Sequence, residues 1–229
     1  MSKKIAIVQS NYIPWKGYFD IIKSVDEFIV FDDAQYTKGD WRNRNLIKTP
    51  QGVQWITVPV RVKLGQKIRE VKLDGQRWPE FHLRTLEMNY KKANHYEEVS
   101  ALINPIYQKK HSNLSELNID LLKNICNYLN IKTRFSHSWD YNLGEGKTDR
   151  LVSLCQQAEA SEYVSGPAAE SYIEKTQFEN AGIKLSYFSY AGYQEYPQLW
   201  GEFSHQVTVL DLLFNCGKSS INYLKAPQT

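Results

Sequence analysis

Phe28-Ile29-Val30-Phe31-Asp32-Asp33-Ala34-Gln35-Tyr36-Thr37-Lys38-Gly39-Asp40-Trp41-Arg42-Asn43-Arg44-Asn45-Leu46-Ile47-Lys48 is the stretch on which the fold turns. Its first four residues are apolar and rich in β-branched and aromatic side chains, the make-up of a buried strand. Two aspartates end the run, and Lys38, Trp41, Arg42, Asn43, Arg44 and Asn45 follow. An open α/β sheet presents its ligand site in this way, at the carboxyl end of a strand. The plain alternative is a solvated turn leading into a polar helix, because Asx and Arg residues favour such places.

Upstream, Lys4 to Gln9 reads as a first strand, and Ser10 to Gly17 as a loop broken by Pro14 and Gly17. A helix from about Tyr18 to Ser24 leads into Phe28. This is a βαβ opening, whose right-handed crossover sets Gln9, Asn11, Tyr12 and Trp15 beside Asp32 and Asp33. Downstream, Gln54 to Val60 reads as a strand bent near Pro59, and Ile68 to Leu73 as part of an antiparallel ribbon. The pattern from Trp78 to about Asn130 is helical, with Leu114, Leu117, Leu121, Ile125 and Leu129 forming one stripe. The α/β rhythm then resumes: a strand at Arg134–His137, a helix at Asp149–Glu159, a strand at Glu162–Ser165, a helix opening at Gly166-Pro167, and a strand at Ile183–Phe188. The expected fold is one α/β domain over 1–229, an open and mostly parallel Rossmann-like sheet. A helical layer at about 78–130 and a small antiparallel ribbon complete it.

A net charge of +3 says little about partners, but its distribution says more. Between Lys38 and Lys72, nine basic residues face two acidic ones, so this strip carries +7 and the rest of the chain −4. Such a strip implies an anionic partner, most simply phosphate. The three cysteines are far apart without a CxxC pair, which argues for reduced thiols and against a structural zinc. No apolar run approaches the length of a membrane span, and no signal peptide is evident, so a cytoplasmic protein is expected. The 15 Tyr, 9 Phe and 6 Trp leave room for a homodimer as well as for sugar or base surfaces. Gly146-Lys147-Thr148 and Gly217-Lys218-Ser219 end like phosphate-binding loops, but the required earlier glycine is Tyr141 in one and Leu212 in the other.

Several blocks resemble the WbqC-like proteins of bacterial surface-polysaccharide gene clusters. They include Gln9 to Asp20, Phe31 to Lys48, Trp55 to Val60, Gly146 to Leu151, Tyr163 to Ile173 and Tyr196 to Gly217. Family members commonly read His-Gln-Pro where this chain has Val8-Gln9-Ser10, so no histidine at position 8 is required for chemistry here. The resemblance implies a step in making O-antigen or a related glycan. It points to transfer of a glycyl group to the amino group of a nucleotide-linked or lipid-linked amino sugar, from an activated donor such as glycyl-tRNA. No metal is expected: magnesium would join Asp32 and Asp33 to phosphates only where the strand has ended, because adjacent side chains on a strand point to opposite faces.

Amide formation needs a base, oxyanion donors and phosphate anchors. Asp33, Asp32, His205 and His82 are the candidates for catalysis, although His82 on an aromatic stripe also suits plain packing. Gln9, Asn11, Tyr12, Trp15, Lys38, Trp41, Arg42, Asn43, Arg44 and Asn45 are the candidates for binding, joined by Ser165 and Gly166 at a strand-to-helix junction. Arg42 and Arg44 would grip a diphosphate together if Trp41 to Asn45 were extended. A non-catalytic protein that binds a nucleotide-sugar or glycan is the alternative, and direct contact with tRNA along the basic strip is a third reading.

Overall fold

The computed structural model describes residues 2–225. Its elements are β1 (Lys4–Val8), α1 (Lys16–Lys23), β2 (Glu27–Val30), β3 (Arg44–Thr49), β4 (Gly52–Thr57), β5 (Val60–Arg61), β6 (Lys72–Leu73) and α2 (Trp78–Tyr90). They continue with α3 (Tyr96–Gln108), α4 (Leu114–Tyr128), β7 (Arg134–His137), α5 (Lys147–Gln157), β8 (Glu162–Ser165), α6 (Lys175–Asn180), β9 (Lys184–Tyr187) and α7 (Val209–Cys216).

The main sheet has the order β7-β2-β1-β8-β9, with every pair parallel. Counted along the chain this is the order 3-2-1-4-5 of a Rossmann-like sheet. Period-two alternation divides the core between its faces. Ala6, Phe28 and Val30 pack with α1, the α2–α4 layer and α7. Ile5, Ile7 and Ile29 pack with Leu154 and Cys155 of α5 and Phe178 of α6. All three cysteines are buried and free, and Cys155 sits in the second of these layers. Among the described residues, no helix is long and apolar enough to cross a membrane.

Two antiparallel ribbons stand beside the sheet, β3–β4 and β5–β6. Only Lys72–Leu73 of the expected Ile68–Leu73 strand is extended. Ile68–Glu70 is a 3-10 turn, because Glu70 reaches back to the Lys67 N–H at 3.1 Å while the Arg69 N–H donates to the Asp32 carbonyl. Pro167 likewise opens a 3-10 turn to Ser171 rather than an α-helix.

The loop between β1 and α1 is anchored from three sides. The Tyr12 N–H donates to the Trp41 carbonyl at 3.0 Å, and the Val209 N–H donates to the Pro14 carbonyl at 2.9 Å. Asn45, buried on β3, donates its side-chain amide to the carbonyls of Tyr12 and Ile13. Ile13 has φ = +36°, a strained value for a β-branched residue that persists only where surroundings impose it.

Candidate functional site

The strand order reverses between β1 and β8, and the crevice outside their carboxyl ends is where such sheets bind ligands. A cavity of about 550 Å³ lies there, and Gln9 and Ser165-Gly166 come to it from those two strand ends. Three cations reach it: Arg42 from the turn before β3, and Lys147 and Arg150 from the first turn of α5. No carboxylate is among its lining residues. The amino end of α5 adds the positive end of a helix dipole. Gly146 caps that helix at φ = +82°, and a Cβ there would fall 2.2 Å from the Asp149 carboxylate. Arg150 Nε donates to the Gly144 carbonyl at 3.0 Å, which fixes the fork and leaves its terminal nitrogens for an anion.

A second cavity, of about 390 Å³, adjoins the first. Asn11, Trp15, Trp41, Asn45 and His205 line it, together with Pro14 and Gln206. The partition between the two is made of Arg42, which donates to the Asn11 side chain and to the Gln9 carbonyl at 3.4 Å, and of Trp15 packed on Tyr190 at 5.2 Å. His205 packs edge-on against Phe203, and its buried Nδ1 has no partner among the described residues. Burial pushes its pKa down, and the neighbouring Lys16 ammonium adds to this. Lys16 is itself almost wholly buried; its Nζ donates to the Gln194 carbonyl at 2.8 Å and lies over the rings of Tyr193 and Tyr196. The imidazole is therefore neutral at pH 7 and able to accept a proton.

The model of the WbqC-like protein family matches residues 9–223. The chain belongs to that family. This WbqC-like protein is also similar to the uncharacterized protein Rv1507c of Mycobacterium tuberculosis, at 58% identity over 226 residues that cover 97% of this chain and 98% of that protein. No solved structure matches it.

The remaining candidates in this WbqC-like protein lie elsewhere. Asp32 is fully buried and takes hydrogen bonds from the Ser10 N–H at 2.8 Å, the Ser10 hydroxyl at 2.7 Å and the Ser115 hydroxyl. Burial raises its pKa against these donors. Asp33 turns the other way and is saturated by Lys67 at 2.8 Å, Arg69 at 3.0 Å and Ser138 at 2.9 Å. Burial alone would raise its pKa, but those three partners bring it below the ordinary carboxylate value. The expectation that Asp33 takes part in catalysis does not match these surroundings. His82 and Tyr12 are also buried: Tyr12 meets His82 Nδ1 at 2.8 Å and the Tyr107 hydroxyl, while His82 Nε2 is 3.0 Å from the Thr57 carbonyl. Both belong to a packed polar chain rather than to a cavity.

Arg42 and Arg44 do not converge. Residues 41–43 form a turn, so Arg42 points to the crevice, whereas Arg44 lies over the Trp55 ring at 4.1 Å. Lys38, Asn43 and Arg44 line a third cavity on the far side of β3. Asn43 is spent there, accepting from the Tyr36 hydroxyl and donating to the Val58 carbonyl. Lys147 and Arg150 fall within the Gly146 to Leu151 block that carries the family resemblance, but were not among the expected binding residues. Their signal was direction: a helix that returns to start a parallel strand begins at the carboxyl edge of the sheet.

Proposed function

We propose that the chain is a transferase that acylates, with a glycyl group, the amino group of a sugar carried on a nucleotide or lipid diphosphate. The observation that carries this reading is the crevice between β1 and β8, where Arg42, Lys147 and Arg150 meet with no carboxylate lining the cavity. Such a site suits a diphosphate gripped by charge-assisted hydrogen bonds. The sugar then extends past Arg42 toward Trp15, Trp41 and His205, whose flat apolar faces suit a pyranose ring. The amine attacks the donor ester carbonyl, the C–N bond forms and the C–O bond breaks. Neutral His205 takes the proton lost by nitrogen and returns it to the departing oxygen.

Mass spectrometry of UDP-linked amino sugars incubated with the protein and activated glycyl esters tests this reading. A glycyl mass increment is expected, and a His205→Ala protein should lose roughly 10²–10⁴-fold in turnover while keeping its sugar-nucleotide affinity. The non-catalytic reading has one observation in its favour: Asp32, Asp33 and His82 are all occupied by the fold. Binding of the UDP-sugar with no increment from any glycyl donor would decide for it.

A further inference from the structure

The β3–β4 ribbon shows an outer face that the crevice does not use. Five of the six residues of β4 are exposed, and only Ile56 turns into the core. Trp55 on this strand is 47% exposed, and Trp41 beside it 42%. Their rings lie 5.1 Å apart, with the Arg44 guanidinium over Trp55. A cavity of about 740 Å³ runs alongside, and its charged lining residues are Lys38, Arg44 and Lys63, all cations. The neighbouring acids are partly spent, Asp40 on Arg42 at 3.5 Å and Asp74 on Arg61 at 2.7 Å. Trp41 is shared, since it also walls the cavity that holds His205.

Exposed indoles flanked by cations match the way single-stranded nucleic acids are held: bases stack on the rings, and phosphates follow the charge. A neutral glycan would use the indoles and leave the cations idle. A protein strand added at the β4 edge would use neither the cavity nor its charge. We infer that this face receives a single-stranded RNA end, with bases on Trp55 and Trp41, phosphates along Lys38, Arg44 and Lys63, and the terminal ribose at the mouth of the His205 cavity. Only the idea that this ribose carries the acyl ester rests on the proposed glycyl transfer; the binding does not.

Titration of a short single-stranded oligoribonucleotide into the full chain, followed by tryptophan fluorescence, tests this directly. Quenching is expected, with an affinity that falls steeply as salt rises from about 50 to 200 mM. Trp55→Ala should weaken binding roughly tenfold. Lys63→Ala, at an exposed position, should weaken it less and reduce the salt slope by about one. Calorimetric binding of a UDP-sugar should be unchanged in both variants. The inference is overturned if the oligonucleotide does not quench, if its binding ignores salt, or if a neutral oligosaccharide binds where the RNA does not. Glycyl transfer from a small ester with no RNA binding would end this inference and leave the proposed function standing. RNA binding with no acylated sugar from any donor would do the reverse.

Discussion

His82 is neutral because it is buried. Its Nε2–H donates to the Thr57 carbonyl, so Nδ1 accepts from Tyr12, whose oxygen in turn accepts from Tyr107. Burial takes the pKa from the ordinary 6.5 to about 4. A folded pKa below the unfolded one means that protonation favours unfolding. Stability should therefore fall as pH drops from about 6.5 to about 4, by up to about 3 kcal/mol. Urea unfolding between pH 7.5 and 4.5 should show this slope, and His82→Gln should flatten it; an equal slope in both proteins would remove His82 as its source. Asp33 acts in a different window. Its folded pKa is depressed, so its contribution is present above about pH 4 and is lost as pH falls through the folded value. Asp33→Asn should cost about 1–2 kcal/mol at pH 7, discounted because Lys67 and Arg69 are partly solvated. Turnover per folded molecule should stay within about threefold of wild type; abolished turnover in a folded Asp33→Asn protein would return the residue to the mechanism.

Among the elements, β3 decides how the first loop is held. Asn45 occupies an inward position of this strand and gives both amide hydrogens to the strained Tyr12-Ile13 turn. Asn45→Ala leaves two buried carbonyls without a donor and should destabilise the fold by about 2–3 kcal/mol. Faster hydrogen exchange across residues 10–15 should accompany it, and unchanged protection there would show that the loop holds itself. The same strand explains why part of the site escaped the sequence. Apolar runs made β1, β2 and β8 legible, and helical spacing did the same for the stripe that runs from Leu114 along α4 to its cap at Leu129. β3 alternates Arg, Asn, Leu and Ile, with Asn45 and Ile47 inward and Arg44 and Leu46 half-exposed, so no hydrophobic period marks it. Without that strand the turn at residues 41–43 could not be seen, and Arg42 and Arg44 looked like a pair. Lys147 and Arg150 were hidden for another reason: a basic first turn on a helix resembles any solvated surface until the sheet order shows which way the helix points.

At the scale of the whole molecule, strand order sets the chemistry. Placing β1 in the middle of the sheet makes one crevice, and the chain sends three cations to it from two distant segments. The basic strip from Lys38 to Lys72 does not serve that crevice as a block. Arg42 faces it, Lys67 and Arg69 bind Asp33, and Lys38, Arg44 and Lys63 line the outer cavity. The size of the basic strip could be counted along the sequence, while only the fold could show that its side chains divide between two surfaces. The central claim is that the crevice holds the phosphates of the sugar carrier. Isothermal titration of a UDP-linked amino sugar, with the free amino sugar as control, tests it most directly in wild type and in Lys147→Ala/Arg150→Ala. The prediction is that binding requires the diphosphate and weakens roughly tenfold or more in the variant, at unchanged thermal stability. Equal affinity in the two proteins, or equal binding of the free sugar, would contradict it.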